Sequence, residues 1–436
     1  MPEVARDLGG HELYGWVFSA FFLGSLIGIV VVGSFIDRRG LAVPFALGLG
    51  LFAIGLVVGG LAPSMPVLVA ARFIQGLGAG TIPPIAYVAI GRSLPESLRP
   101  RMFATMSTAW ILPGVLGPAV AATVGEALSW RFVFLGLLPL IAVSGMLTLG
   151  ALRAVVAAPA KVAAEHGAAA ADRARLPLAI VVAIGAGLVM VGLTSGEVLP
   201  TVGLIALGLP IGIYALRRLT PAGTLRARPV LPAAILLRGI LTFTFFGVDA
   251  FVPLVLVEWR GRSLAESGSA RSISTIVWTA GSWVQARGSS RWPSRRFVQV
   301  GFAVVLVGLA GFMLVLREDV SWLVAIPTFA LACFGMGLSY SPQALIVLRE
   351  ASAEHQGSAS SALSLTDTLG SALGTGLAGA IIAAGLRATG EQVQGLTIAF
   401  AVSIAAGVGG LVLTRRLAHG PRAEPAALPA EAVPPT

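Results

Sequence analysis

Runs of about twenty apolar residues, thirteen in succession, dominate this sequence and restrict its fold more than any motif does. A helix of that length crosses roughly 30 Å of hydrocarbon, and in lipid each backbone N–H and C=O must be bonded within the protein. Only helices and closed barrels meet that condition. Barrel strands alternate apolar and polar residues, whereas these runs are continuous, so the expected fold is an all-α membrane protein. The charge content agrees, at 11% of residues against about 25% in soluble domains.

The runs form three groups. Five are expected near Tyr14–Ile36, Leu41–Leu61, Pro66–Ile90, Met102–Val124 and Phe132–Leu152. Two shorter ones follow at Leu176–Leu193 and Val198–Leu216. Six more lie near Leu231–Val257, Ser267–Gln285, Phe297–Leu316, Ser321–Leu348, Ser358–Leu386 and Gln394–Leu413. The Ser267 run is the weakest, diluted by Arg271 and several serines. The expected organisation is an N-terminal bundle over residues 1–153, a linker over 154–175, two additional helices over 176–217, a six-helix bundle over 218–417 and a disordered tail over 418–436. Linker and tail are short and low in complexity, too small for a soluble domain.

The net charge of +10 and pI near 11.1 suggest a nucleic-acid partner in a soluble chain. Here the arginines have another use. Short cytoplasmic loops are enriched in Lys and Arg. With the hinge at Arg38 and Arg39 placed inside, most basic residues fall on that side, and only Arg6, Arg131, Arg260, Arg262, Arg317 and Arg387 lie outside. This predicts a multi-pass cell-membrane protein with a cytoplasmic C-terminus and no nucleic-acid partner. Thirteen spans also put the termini on opposite sides, with no signal-peptide pattern to carry the start across.

The hinge is "GSFIDRRG", Gly33 to Gly40, and a related "GSWVQARG" runs from Gly281 to Gly288. Each follows the apolar run before a cytoplasmic turn, and Gln285 stands where Asp37 stands in the first copy. If the copies descend from a six-helix unit, the first group lacks its first helix.

"GSFIDRRG" resembles the GxxxDRxGR signature of the major facilitator superfamily, without its last basic position. "RFIQGLGAG", Arg72 to Gly80, is similar to the family's RxxQGxGA helix. "PGVLGPAVAATVG", with Pro113, Gly114, Gly117 and Pro118, resembles its antiporter helix, alanines replacing the last glycines. The branch most resembled is that of fourteen-helix drug/proton antiporters, so the implied fold is a two-bundle helical transporter. The resemblance implies that Asp37 docks on the inner end of the helix from Ser358 onward, within a gate formed by Gly33, Asp37, Arg38, Arg39 and Gly40. It also gives Arg72, with Gln75 one turn on, a part in proton coupling; the alternative is that Arg72 snorkels to the interface.

Charges within the spans need a reason, since each costs at least about 2.5 kcal/mol at the bilayer centre. Asp249, in "FFGVDAFVPL", has apolar neighbours on both sides and is the first choice for a group that loads and releases a proton. Asp367, in "SLTDTLGSALGTG", is the second, among small and hydroxylated residues that favour packing. Either acid can instead tie neighbouring helices together. Arg238 can pair with an acid or snorkel. Trp110, Phe243, Phe245 and Phe246 can line a cavity for an amphipathic ligand or contact lipid.

His11, His166, His355 and His419 all lie in loops or the tail, which leaves the carboxylates to carry protons. The lone Cys333 excludes an internal disulfide. No HExxH, CxxC, nucleophile elbow or phosphate loop occurs, so neither an enzyme nor a cofactor is expected. The expected function is proton-coupled efflux of small amphipathic compounds by alternating access, performed by a monomer. An uncoupled facilitator and an inactive truncated transporter are the alternatives.

Overall fold

The computed structural model describes residues 7–8, 13–154, 167–195 and 197–418. Its regular elements are helical throughout. The first group comprises α1 (Tyr14–Arg39), α2 (Ala42–Gly60), α3 (Met65–Ser93), α4 (Arg99–Ala109), α5 (Ile111–Ala127), α6 (Trp130–Leu135) and α7 (Leu137–Ala154). A hairpin of α8 (Gly167–Thr194) and α9 (Val198–Leu219) follows. The last group comprises α10 (Leu231–Asp249), α11 (Leu264–Gly288), α12 (Ser294–Met313), α13 (Ala325–Glu350), α14 (Gln356–Thr389) and α15 (Gln392–Leu413). His11, His166, His419 and most of the expected tail lie outside the described residues.

Eleven helical stretches among the described residues are long and apolar enough to span a membrane, two fewer than the thirteen runs. The Met102–Val124 run is divided at Trp110 into α4 and α5. Pro113 explains the division: it has no N–H to give the Ala109 carbonyl, and its ring collides with that group. The other is α11, too rich in serine and arginine to count by apolarity.

A second proline acts in the same way. Pro253 lies four residues beyond Asp249, α10 stops at Asp249, and a short helical turn and a π-helical stretch, Val255–Trp259, carry the chain onward. The carbonyl of Asp249 is thereby left for another donor.

Helices in lipid associate through close van der Waals contact, which small residues permit. On α1 and α3, a Cβ added to Gly24 or Gly80 would strike the carbonyl of Phe73 or Ser25 on the opposite helix. On α11 and α13, one added to Gly281 or Gly337 would strike the carbonyl of Phe334 or Trp278. α2 packs on α3 as α12 packs on α13, so the two groups repeat one packing order, and "GSFIDRRG" and "GSWVQARG" each end the equivalent helix. α10 lies along α14, where Gly370 and Gly374 approach the carbonyls of Gly239 and Phe243. Among the described residues no helix lies along α4 and α5 in that manner.

Candidate functional site

The hinge after α1 turns at Gly40, whose φ of 72° favours glycine over residues with a Cβ. Arg38 and Arg39 occupy the last helical turn, and the Arg39 guanidinium lies over Phe35, 5.6 Å from the ring centroid. Asp37 crosses to the other bundle. Its carboxylate accepts the backbone N–H of Gly357 at 2.7 Å, the N–H of Ser358 at 2.9 Å and the Ser358 hydroxyl at 2.6 Å. A nitrogen of Arg92 stands 3.9 Å away and also donates to the carbonyl of Ala353 at 3.3 Å. The acid therefore caps the first turn of α14, where the helix dipole adds about 0.3–1 kcal/mol, rising to about 2 kcal/mol in partly buried geometry. Close approach makes this possible: a Cβ on Gly33 would sit 2.5 Å from Cβ of Ser361, and one on Gly357 would meet the Gly33 carbonyl.

Further along the seam between the bundles lies a cavity of about 610 Å³, lined from α1, α3 and α4 on one side and α10, α11, α13 and α14 on the other. Its wall is largely aromatic. Phe245 stacks on Phe329 at 5.8 Å and meets Trp278 edge-on at 5.5 Å, while Trp278 meets Tyr340 at 5.8 Å. Trp110, Phe245 and Phe246 line it; Phe243 is not among the lining residues, and its backbone lies against Gly374 of α14.

Asp249 and Asp367 both line this cavity, each tied to a guanidinium. Arg271 donates to the Asp249 carboxylate at 3.3 Å and to its proline-freed carbonyl at 3.3 Å. The Asp249 side chain is 15% exposed and that of Arg271 43%, so a solute in the cavity reaches the guanidinium before the acid. Asp367 accepts the Tyr340 hydroxyl at 2.7 Å, with Arg238 3.8 Å away. Arg238 is wholly buried: its Nε donates to Gln343 at 2.9 Å and its guanidinium lies 3.5 Å from the Tyr340 ring centroid. Pairing, and not snorkelling, thus accommodates this arginine. At 1.5 Å per residue, Asp249 lies about 27 Å along α10 and Asp367 about 17 Å along α14 from the Gly40 face, so the pairs occupy two depths.

The remaining residues lie elsewhere. Arg72 donates to Gln75 at 2.5 Å and to the Val17 carbonyl at 3.3 Å, and covers the Phe21 ring at 4.4 Å. These contacts are within the first bundle. Pro113, Gly114, Gly117 and Pro118 belong to α5, where a Cβ on Gly117 would meet nothing within 4 Å. Arg271, Tyr340 and Gln343 were not expected at a site. An arginine inside a span was the available signal for the first; the others carry none without the fold.

The Major Facilitator Superfamily profile matches residues 1–375. A probable multidrug-efflux transporter of Mycobacterium tuberculosis is 26% identical over 94% of this chain and 88% of its own length. The multidrug transporter protein MdtP of Bacillus subtilis is 25% identical over 88% of this chain and 71% of its own. Among solved structures, the human organic anion transporter MFSD10 superposes with a TM-score of 0.66 at 15% identity, over 92% of this chain and 83% of that one. The proton:xylose symporter XylE gives 0.65 at 14% identity, over 95% and 87%. At such identities these two likenesses concern the fold alone.

Proposed function

The chain belongs to the Major Facilitator Superfamily, and on that premise we propose that it exports amphipathic small molecules in exchange for protons, by alternating access. The observation that carries this reading is the seam: a 610 Å³ aromatic cavity between the bundles, holding two carboxylates, with the bundles joined at the Gly40 face. An amphipathic solute finds ring faces for its apolar part, and a cationic group finds the quadrupoles of Trp278 and Tyr340 together with Asp249. Asp249 is the exchange site of choice. Its partner Arg271 is half exposed, so a proton or a cationic solute can replace one interaction with another. The multidrug names of the two relatives support the same substrate class.

The Gly40 face is assigned to the cytoplasm because it carries most loop arginines. The protein then works as a monomer with a cytoplasmic C-terminus, using the residue 1–153 and 218–417 bundles as the moving halves. Arg72 and Gln75 shape the first bundle, and α5, with Pro113, Gly114, Gly117 and Pro118, bends against the second.

Both acids already have guanidinium partners, which an uncoupled facilitator also tolerates. Vesicle efflux of a fluorescent lipophilic cation separates the readings. With an imposed pH gradient, wild-type flux should rise at least tenfold over the no-gradient rate, and Asp249→Asn should remove the gradient dependence while leaving downhill exchange. Equal flux with and without the gradient rejects proton coupling.

A further inference from the structure

The inserted hairpin touches the gate. α8 packs against α1 of the first bundle and α14 of the second, on the same seam that Asp37 crosses. Gly187 of α8 faces Leu23, and Met190 and Leu193 of α8 close on Gly376. Leu26, Ile29 and Val30 share one buried cluster with Ala179, Val182, Ala186, Leu365 and Leu369, so the hairpin belongs to the wall between the bundles and is not an outlying addition. It is also stiff. Gly185 and Gly208 bring α8 and α9 to backbone contact, a Cβ on Gly185 falling 2.6 Å from the nitrogen of Gly212.

At its Gly40 end, α8 presents Arg175. The guanidinium donates to the Ser358 hydroxyl at 3.1 Å, and that hydroxyl donates in turn to the Asp37 carboxylate at 2.6 Å. A hydroxyl has one proton to give and lone pairs to accept with, so donation by Arg175 fixes which way the Ser358 hydrogen points. The only orientation that satisfies all three groups directs it at Asp37. Another charged group facing this carboxylate, Arg92 at 3.9 Å, comes from α3 of the first bundle. Arg175 is the contribution from outside both bundles.

We propose that Arg175 is a positioning residue of the gate: through Ser358 it orients the hydrogen bond that holds Asp37 on α14, and so couples the α8–α9 hairpin to opening at the Gly40 face. This rests on the reading of the Asp37 contact as a gate. The relay can act only while α1, α8 and α14 meet, so it stabilises the closed seam and contributes nothing once the bundles part.

The test uses the full-length protein in vesicles, with Cys333→Ser and a reporter cysteine, Thr368→Cys, on the cavity wall. The rate of alkylation by a membrane-impermeant maleimide applied from the Gly40 face measures opening there. Arg175→Ala should raise that rate about fivefold, the effect of losing one hydrogen bond. Asp37→Ala should raise it further, and the double variant should match Asp37→Ala, because without an acceptor at residue 37 Arg175 has nothing to orient. Ser358→Ala cuts the relay at its middle atom and provides a second check, since adding Arg175→Ala to it should change nothing. An unchanged rate in Arg175→Ala beside a raised one in Asp37→Ala overturns the proposal and leaves the gate standing. Multiplicative effects in the double variant overturn it too, because Arg175 then acts elsewhere. No change in either single variant removes the gate reading and this proposal with it.

Discussion

At the scale of residues, Asp37, Asp249 and Asp367 each find their partners on another helix. Asp37 was conspicuous as an acid in a basic hinge, and Asp249 and Asp367 as acids in apolar runs. That Arg271 and Arg238 stand beside the two cavity acids depends on helices brought together by tertiary packing, with Arg238 lying 129 positions before Asp367 and Arg271 22 positions after Asp249. Outside the membrane a simpler pair allows a pH prediction. Asp7 accepts hydrogen bonds from Arg131 at 2.6 Å and the Trp130 indole at 3.0 Å, and these hold its carboxyl below the ordinary carboxylate value. A depressed acid stabilises the fold above its unfolded pKa, near 3.9, and loses that contribution as pH falls through the folded value. The melting temperature of Asp7→Asn should therefore lie below that of wild type at pH 5 to 8, and the gap should close as pH falls below about 4. A gap that persists in acid contradicts this account.

At the scale of helices, two prolines mark where regular structure stops, whereas Pro83, Pro84, Pro177, Pro210 and Pro342 lie inside helices that continue through them. Pro113 and Pro253 each end a helix four residues upstream. Read by apolarity alone, both runs continue through the break, because hydropathy does not register a missing N–H. The break after Asp249 also serves the site, since the freed carbonyl holds Arg271. Pro253→Ala should let α10 continue and raise the melting temperature, because the Asp249 carbonyl regains an intrahelical donor, while Arg271 loses one acceptor and transport slows several-fold. A thermal-shift assay beside vesicle efflux checks both, and a lowered melting temperature would show that the break is not strained. α11 represents the opposite case. It was the weakest run in the sequence because of Arg271 and its serines, and those residues are what it brings to the cavity wall and to α13.

For the whole molecule, the repeat in the sequence and the repeat in the packing coincide. α1 on α3 and α11 on α13 cross through glycines, and the two hinge motifs close equivalent helices. Rigid bundles meeting along one seam should be trapped by a covalent bond across it. Gly91 of α3 and Leu348 of α13 are in contact at the Gly40 face, a Cβ on Gly91 falling 2.9 Å from Leu348 Cδ2. Gly91→Cys with Leu348→Cys, in a Cys333→Ser background, should lose more than nine-tenths of its efflux on oxidation and regain it with reductant. Undiminished efflux in the oxidised protein rules out motion at this seam.

The two hinges differ at four of their eight positions, and one of these exchanges Asp37 for Gln285. Gln285, in place of an acid, is buried with both amide atoms lacking a hydrogen-bond partner, and the helix it faces by symmetry, α4, has as its second residue Pro100, which has no N–H to offer. Only one of the two related corners is therefore fastened by a charge. At the corner that Asp37 fastens, parting the bundles would strip a carboxylate of three hydrogen bonds, whereas at the Gln285 corner no carboxylate stands to be uncovered.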